Sequence, residues 1–360
     1  MTDMYFKQLL HEDCGCSSYV VGGKDTNDVA VIDPPIDIDD ILELAELRGL
    51  HIRYAIDTHI HADHVSGARK LAAATGAEVC LHRSAPVSYS FTPLDDGQEI
   101  HVGHVSLKVM HTPGHRPESI SLLVTNHARS EEPGMVITGD TLLVGDVGRP
   151  DFGGEEGARD LWDSLQRLLG LEDYVEVFPS HFDGPCGKGM CGRPSSTIGF
   201  ERRFNPALQI HDRADFVRVI SSELPARPLN MDAIVANNVG ELDAPWVMPE
   251  GQPAVTSLAP SEAASRIAPG NAFVIDVREP HEYAGAHIPG ARSLPQAEIA
   301  SRLDEIPRDR AVYIICEAGS RSRKVAQFLK QVGYDNPIDI AGGTTAWVEA
   351  GLPVERPVPA

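Results

Sequence analysis

One short stretch constrains this chain more than any other. Thr58-His59-Ile60-His61-Ala62-Asp63-His64 sets three imidazoles and a carboxylate close together. Before it, His51-Ile52-Arg53-Tyr54-Ala55-Ile56-Asp57 reads as a short buried strand; after it, Ser66 to Ala74 reads as a helix. The cluster therefore lies on a strand-to-helix turn, which aims side chains into one pocket. Neutral imidazole and carboxylate suit borderline first-row metals, so the stretch predicts a metal site and a fold that brings further ligands to the same turn. Three other segments have the same grammar, an apolar run ending in a Gly or Pro turn and then a ligand. They are His111-Thr112-Pro113-Gly114-His115, Val136-Ile137-Thr138-Gly139-Asp140 and Val177-Phe178-Pro179-Ser180-His181.

In order and context, His59, His61, Asp63, His64, His115, Asp140 and His181 match the ligand set of the metallo-β-lactamase superfamily, which about the first 240 residues resemble. The resemblance implies an αββα sandwich with the metal at one edge. Within the superfamily, Thr112-Pro113-Gly114-His115-Arg116-Pro117-Glu118-Ser119, Gly139 to Leu143 and Gly148-Arg149-Pro150-Asp151-Phe152 look most like persulfide dioxygenases, with glyoxalase II-type thioesterases as the nearest relatives. It further implies one Fe(II) per chain held by His59, His115 and Asp140, with positions left open for substrate and O2. His61, Asp63, His64 and His181 then orient ligands and waters around it, or hold a second metal. Arg149 is the candidate for holding a carboxylate of the thiol carrier. After His181 comes Phe182-Asp183, where the glutathione-type dioxygenases place an Asp-Tyr pair. The glycine- and cation-rich segment from Gly184 to Pro194 is expected to form a lid or wall, with Cys186, Lys188 and Cys191 near the substrate.

At 360 residues two domains are expected: 1–245 around the metal, a Pro/Gly/Ser/Gln-rich linker at 246–258, and a second domain at 259–360. A formal net charge of −21 argues against nucleic acid or an anionic membrane surface as partner. No apolar stretch is long enough to span a bilayer, and charges interrupt the N-terminal segment before it resembles a secretory signal. The six cysteines are read as thiols in a reducing cytoplasm. Cys14 and Cys16, flanking Gly15, are expected to be ordinary thiols near a turn. A homo-oligomer is expected.

The C-terminal third alternates helix and strand: a helix start capped by Ser261, buried strands at Phe273 to Arg278 and Ala311 to Cys316, and a helix from Ser322. This pattern predicts a parallel, doubly wound sheet, making the whole chain α/β. Cys316 ends a strand and enters the loop Glu317-Ala318-Gly319-Ser320-Arg321 at a helix N-terminus, where backbone amides stabilise a thiolate or an anionic persulfide. Cys316 as nucleophile and Arg321 beside it are the expected catalytic pair. The domain resembles the rhodanese family here and in Asp276-Val277-Arg278-Glu279-Pro280-His281-Glu282-Tyr283, His287 to Ala291 and Gly342 to Trp347. Many active rhodaneses carry a basic residue at the position of Glu317, so an acid there is expected to weaken attraction for anionic thiosulfate.

Together the resemblances imply oxidation of a low-molecular-weight thiol persulfide, R–S–SH, by O2 to thiol and sulfite. The carrier is expected to be glutathione, coenzyme A or a similar thiol. A Cys316 persulfide would exchange sulfane sulfur with thiol, sulfite or thiosulfate. The alternative is a dinuclear zinc thioesterase of the glyoxalase II type, in which a metal-bound hydroxide attacks a thioester. A third possibility treats the C-terminal half as a sulfide-responsive docking module.

Overall fold

A computed structural model describes residues 3–11, 14–150, 152–183, 189–222, 231–241, 255–267, 272–278, 280–317 and 319–356. The chain divides into two compact units, Met1–Val247 and Met248–Ala360.

In the first unit, strands β1 (Met4–His11), β2 (Cys16–Gly23), β3 (Asp28–Ile32), β4 (His51–Ile56), β5 (Glu78–His82) and β6 (Thr92–Leu94) form one sheet in sequence order. A second sheet holds β7 (Glu99–Val102), β8 (Val105–His111), β9 (Ile120–Asn126), β10 (Met135–Gly139), β13 (Glu176–Pro179) and β14 (Ser196–Thr197), in the order β14-β13-β10-β9-β8-β7. A short ribbon, β11 (Leu142–Leu143) with β12 (Asp146–Val147), follows β10.

The facing sheets share a core in which Tyr19, Val21, Ile32 and Ile56 pack with Leu107, Val109, Ile120, Leu122 and Ile137. Helices cover the outer faces. Ile41 of α1 (Asp39–Arg48) and Leu71 of α2 (Ala68–Thr75) pack on Val31 and Ala55. Leu161, Leu165 and Leu168 of α3 (Gly154–Leu169) pack with Val136 and Val177 on the other side. This is the αββα layering expected from the resemblance.

The topology gathers strand ends at one edge. β3, β4 and β5 run parallel, as do β10 and β13. The segments leaving β3, β4, β10 and β13 carry Asp33, Thr58 to His64, Asp140 and His181 in turn. β2 runs antiparallel to β3, so its first residue, Cys16, arrives at the same edge.

Details differ from expectation. Ser196 and Thr197 pair with β13, and Thr197 then caps α4 (Ile198–Phe204) through Phe200 N. Ser261 does not cap a helix: α7 (Pro260–Ile267) already starts at Pro260, a residue suited to the first helical position. Thr256–Leu258, inside the stretch read as linker, is a strand (β15), and residues 246–254 of that stretch lie outside the described residues.

The second unit is a parallel sheet of β15, β16 (Phe273–Asp276), β17 (Arg292–Ser293), β18 (Val312–Ile315) and β19 (Pro337–Ile340), in the order β15-β19-β18-β16-β17. Leu329 of α9 (Ser320–Gln331) packs with Ile275 and Ile314. Ala263 of α7 and Trp347 of α10 (Gly343–Glu349) pack with Ile315 and Ile340, so helices cover both faces as the alternation predicts. Among the described residues no helix is long and apolar enough to cross a membrane.

Candidate metal centre and thiol site

Asp33 organises the turn that follows β4. Its buried carboxylate accepts hydrogen bonds from Thr58 N (2.7 Å) and Thr58 Oγ (2.8 Å) on one sheet and from Ser180 Oγ on the other, while its backbone takes the left-handed conformation (φ 49°). Thr58 Oγ, its proton given to Asp33, accepts from His59 Nδ1 at 2.9 Å. That chain leaves the His59 Nε2 lone pair for a ligand.

His115 is set up in the same way. Its Nδ1 donates to the Arg149 carbonyl at 2.8 Å. Gly114 before it has φ 142° and lies so close to α3 that a Cβ there would come within 2.4 Å of Leu161 Cα. Asp140 follows Gly139 (φ 54°), with Oδ2 3.7 Å from both His59 Nε2 and His115 Nε2. The three donor atoms lie within 4.8 Å of one another and all three residues are buried.

Their protonation states suit a cation. Burial, then the neighbouring His61, holds His59 well below the usual imidazole range, and burial also lowers His115. Burial alone would raise Asp140, but His181, His59 and His115 keep it ionised. Neutral imidazoles and a carboxylate are the forms that ligate metal.

His61 Nε2 lies 3.2 Å from Asp33 Oδ1, while its Nδ1 is buried with no hydrogen-bond partner. Its ring centroid is 4.3 Å from those of both His59 and His64. An orphaned buried imidazole nitrogen among donors is what a bound cation or its water would satisfy, so these residues fit a metal. Burial opposes charge on both groups of the His61–Asp33 pair, and their mutual attraction offsets it. Burial lifts nearby Asp57, which accepts from Ser66 Oγ, to about 6.

A second donor group adjoins the first. His181 Nδ1 lies 2.7 Å from Asp140 Oδ1, and its Nε2 lies 2.9 Å from Asp63 Oδ2; Asp63 Oδ2 is also 3.1 Å from His64 Nδ1. Cys16, expected to be an ordinary thiol near a turn, belongs to this group instead: its Sγ is 3.3 Å from His181 Nε2, 3.5 Å from Asp63 Oδ2 and 3.9 Å from His64 Nδ1.

Sequence reading missed several supports. Asn238 of α6 (Met231–Asn238) is buried, donates to the carbonyls of His61 and His64 at 2.9 Å, and accepts from Ser66 N. Glu118 accepts from Ile60 N at 3.0 Å and from Arg116. Asp33 ends a buried strand, as the ligands do, and that was its one available signal. Asn238 had none.

Arg149, the candidate carboxylate anchor, is buried and touches the site through its carbonyl on His115. Cys191 is exposed, with Sγ 3.5 Å from the Val144 carbonyl. Cys186 and Lys188 lie outside the described residues, as does Ala318 of the C-terminal loop.

In the second unit Cys316 is buried at the end of β18. Its Sγ accepts from Gly319 N at 3.1 Å and lies 3.4 Å from Ser322 Oγ, which donates to the buried Asp339 at 2.6 Å. Gly319 (φ 96°) permits the tight return, and Gly343 lies where a Cβ would come within 2.4 Å of the Cys316 carbonyl. Ser320 opens α9. Arg321, expected beside the nucleophile as a catalytic residue, makes a two-pronged ion pair with Glu282 at 2.7 and 2.8 Å. Glu317 pairs with Arg278 at 2.7 Å, and Arg278 also binds Asp276. Arg321 and Arg278 thus both have carboxylate partners.

Residues 11–181 match the metallo-beta-lactamase superfamily and residues 259–350 match the rhodanese-like domain. The chain is similar to a crystal structure of metallo-beta-lactamase from Staphylococcus aureus subsp. aureus COL, with a TM-score of 0.67 and 30% identity over 95% of this chain and 98% of that one. It is also similar to ETHE1 from Myxococcus xanthus (TM-score 0.58, 33% identity, 65% of this chain, 98% of that one). Human mitochondrial persulfide dioxygenase ETHE1 is 28% identical over 64% of this chain and 86% of its own length. The chain spans 56–58% of the length of the curated beta-lactamase hydrolase-like proteins it matches at 30–31% identity.

Proposed function

Because the chain belongs to the metallo-beta-lactamase superfamily, has ETHE1 persulfide dioxygenase homologues and carries a C-terminal rhodanese-like domain, we propose that it oxidises a thiol persulfide with O2 and passes sulfane sulfur through Cys316. The balanced reaction is R–S–SH + O2 + H2O → R–SH + HSO3⁻ + H⁺. The observation that carries this reading is the buried His59, His115 and Asp140 trio, whose three donor atoms lie within 4.8 Å of one another; an ion held by only three protein donors would keep positions for substrate. Fe(II) held by that trio would supply the redox capacity that O2 chemistry on sulfur requires.

The chain's own residues do the rest. Thr58 and the Arg149 carbonyl fix the tautomers of His59 and His115. Asp140 orients His181 and would balance the charge of a cation held by the trio. Arg149 is proposed to hold a carboxylate of the carrier, glutathione, coenzyme A or a similar thiol, and the segment containing Cys186, Lys188 and Cys191 to wall the substrate. At the second site Cys316–S⁻ attacks thiosulfate, giving Cys316–S–S⁻ and sulfite, with the Gly319 amide stabilising charge on sulfur.

A dinuclear zinc thioesterase is the second reading, favoured by the donor group that adjoins the first. An oxygen electrode separates them. Iron-loaded protein given glutathione persulfide should consume one O2 per sulfite released, and an H59A variant should not. Hydrolysis of a glutathione thioester without persulfide-dependent O2 uptake would establish the second reading instead.

A further inference from the structure

Asp339 stands where a parallel sheet covered on both faces calls for an apolar side chain. It lies between Ile338 and Ile340 in β19, fully buried, with β15 on one side of its strand and β18 on the other. Its carboxylate is held by two hydroxyls: Ser322 Oγ donates to Oδ1 at 2.6 Å and Ser257 Oγ to Oδ2 at 2.7 Å. The largely exposed Arg323 comes no closer than 3.7 Å. The other carboxylates around the Cys316 loop are bound more tightly to guanidiniums, Asp276 and Glu317 to Arg278 and Glu282 to Arg321. A carboxylate taken out of water is costly unless strongly paired, so the position of Asp339 points to a use.

The two hydroxyls set that carboxylate between the thiol and the surface. Ser322 Oγ has one proton and three acceptors in reach: Asp339 Oδ1 at 2.6 Å, the Gly319 carbonyl at 3.1 Å and Cys316 Sγ at 3.4 Å. The bond to the carboxylate is charge-assisted and the shortest, so it takes the proton. Ser322 Oγ then turns a lone pair to the sulfur, and the Cys316 S–H donates to it. Cys316 itself is fully buried. Ser257, by contrast, is exposed on the edge strand β15, where it pairs directly with Asp339.

We infer that Cys316, Ser322 and Asp339 form a proton relay, in which Asp339, acting through Ser322, takes the proton of the buried thiol and later gives it up to water at the Ser257 side. The inference rests on the reading of Cys316 as the sulfur-transferring nucleophile. The Cys316 S–H proton moves to Ser322 Oγ as the Ser322 proton moves to Asp339 Oδ1, so negative charge passes from carboxylate to sulfur: Cys316–SH + Asp339–COO⁻ → Cys316–S⁻ + Asp339–COOH. The Gly319 amide, 3.1 Å from Sγ, meets the charge that arrives there.

Alkylation of Cys316 by uncharged iodoacetamide in the full-length protein, read across pH by mass spectrometry of the Cys316 peptide, tests the relay without calling on sulfurtransfer. D339N keeps an acceptor for Ser322 but cannot take a proton. It should react on the order of 100-fold more slowly than wild type near neutral pH, the low end of general-base assistance. It should recover above about pH 9, beyond the ~8.5 at which an ordinary thiol ionises unaided. S322A should show the same loss and recovery, and S322T, which keeps the hydroxyl, should restore the neutral-pH reaction; this pair decides the matter if D339N does not fold. Equal or faster alkylation of D339N at neutral pH, the result expected if Asp339 acted only through its negative charge, overturns the relay. So does an S322A variant that loses nothing, or one whose loss persists at high pH. A wild type that alkylates as described but moves no sulfur from thiosulfate would count against the reading of Cys316 and leave the relay standing.

Discussion

The metal centre takes its donors from Cys16 through His181, across both sheets, whereas the thiol site takes most of its own from Cys316 to Ser322 in one loop. The first is held by topology: Asp33 pins turns from two sheets, and Asn238 clamps the metal turn from well over a hundred residues away. The second is held by local backbone geometry at Gly319 and by the neighbouring Gly343 turn. A scattered site is vulnerable to changes far from the chemistry, while a local one is insulated from them.

The largest expected effect is a double dissociation between the two sites. H115A should lower persulfide-dependent O2 uptake by more than about 100-fold, beyond the range of outer-shell losses, and leave thiosulfate sulfurtransfer unchanged. C316S should abolish sulfurtransfer and leave O2 uptake unchanged. Parallel assays on both variants check this, and joint loss in either one would break the contrast.

Next comes D33N, which touches no proposed metal ligand except His61. Losing the charge that Thr58, Ser180 and His61 share should weaken metal binding by about 10–100-fold, measured by competition with a chelator. No substitution outside the Cys316 loop and its direct partners should do the same to sulfurtransfer.

E317Q should act the other way at the thiol site. Removing a half-exposed anion beside the nucleophile should lower KM for thiosulfate by about fivefold, a solvent-screened charge effect, with little change in kcat. An unchanged KM would mean that Arg278 already cancels Glu317.

How far each site was legible follows from the same contrast. The Cys316 loop could be read directly because strand end, glycine and helix start are consecutive. Its partners Asp339, on β19, and Arg278, just after β16, lie far off in sequence and were not marked as part of the site. The ion pair of Arg321 with Glu282 was not legible because Glu282 lies 39 residues upstream. In the metal unit the ligands were legible because the apolar run, turn and donor recur. Cys16 escaped because it opens a strand instead of ending one, and only the antiparallel β2–β3 pairing brings it to that edge. Asn238 escaped because an amide late in a helix looks like any surface residue.

The smallest effect concerns the flank of the metal unit, where His82 and His111 stack at 3.8 Å. Burial, then His111, holds His82 below its ordinary 6.5. The unfolded chain therefore binds that proton more tightly, so this contribution to stability is present above pH 6.5 and lost as the pH falls below it. H82F should narrow the Tm gap between about pH 7.5 and about pH 5.5 by roughly 1–3 °C, read by calorimetry. A wider gap would contradict the sign.

The central claim, a redox-active ion held by His59, His115 and Asp140, is tested most directly by elemental analysis of anaerobically purified protein alongside O2 uptake on the same samples. The account predicts iron in the wild type, uptake that rises in proportion to iron content, and loss of both in H59A. Full uptake in iron-free protein, or iron retained by H59A with its uptake intact, would contradict it.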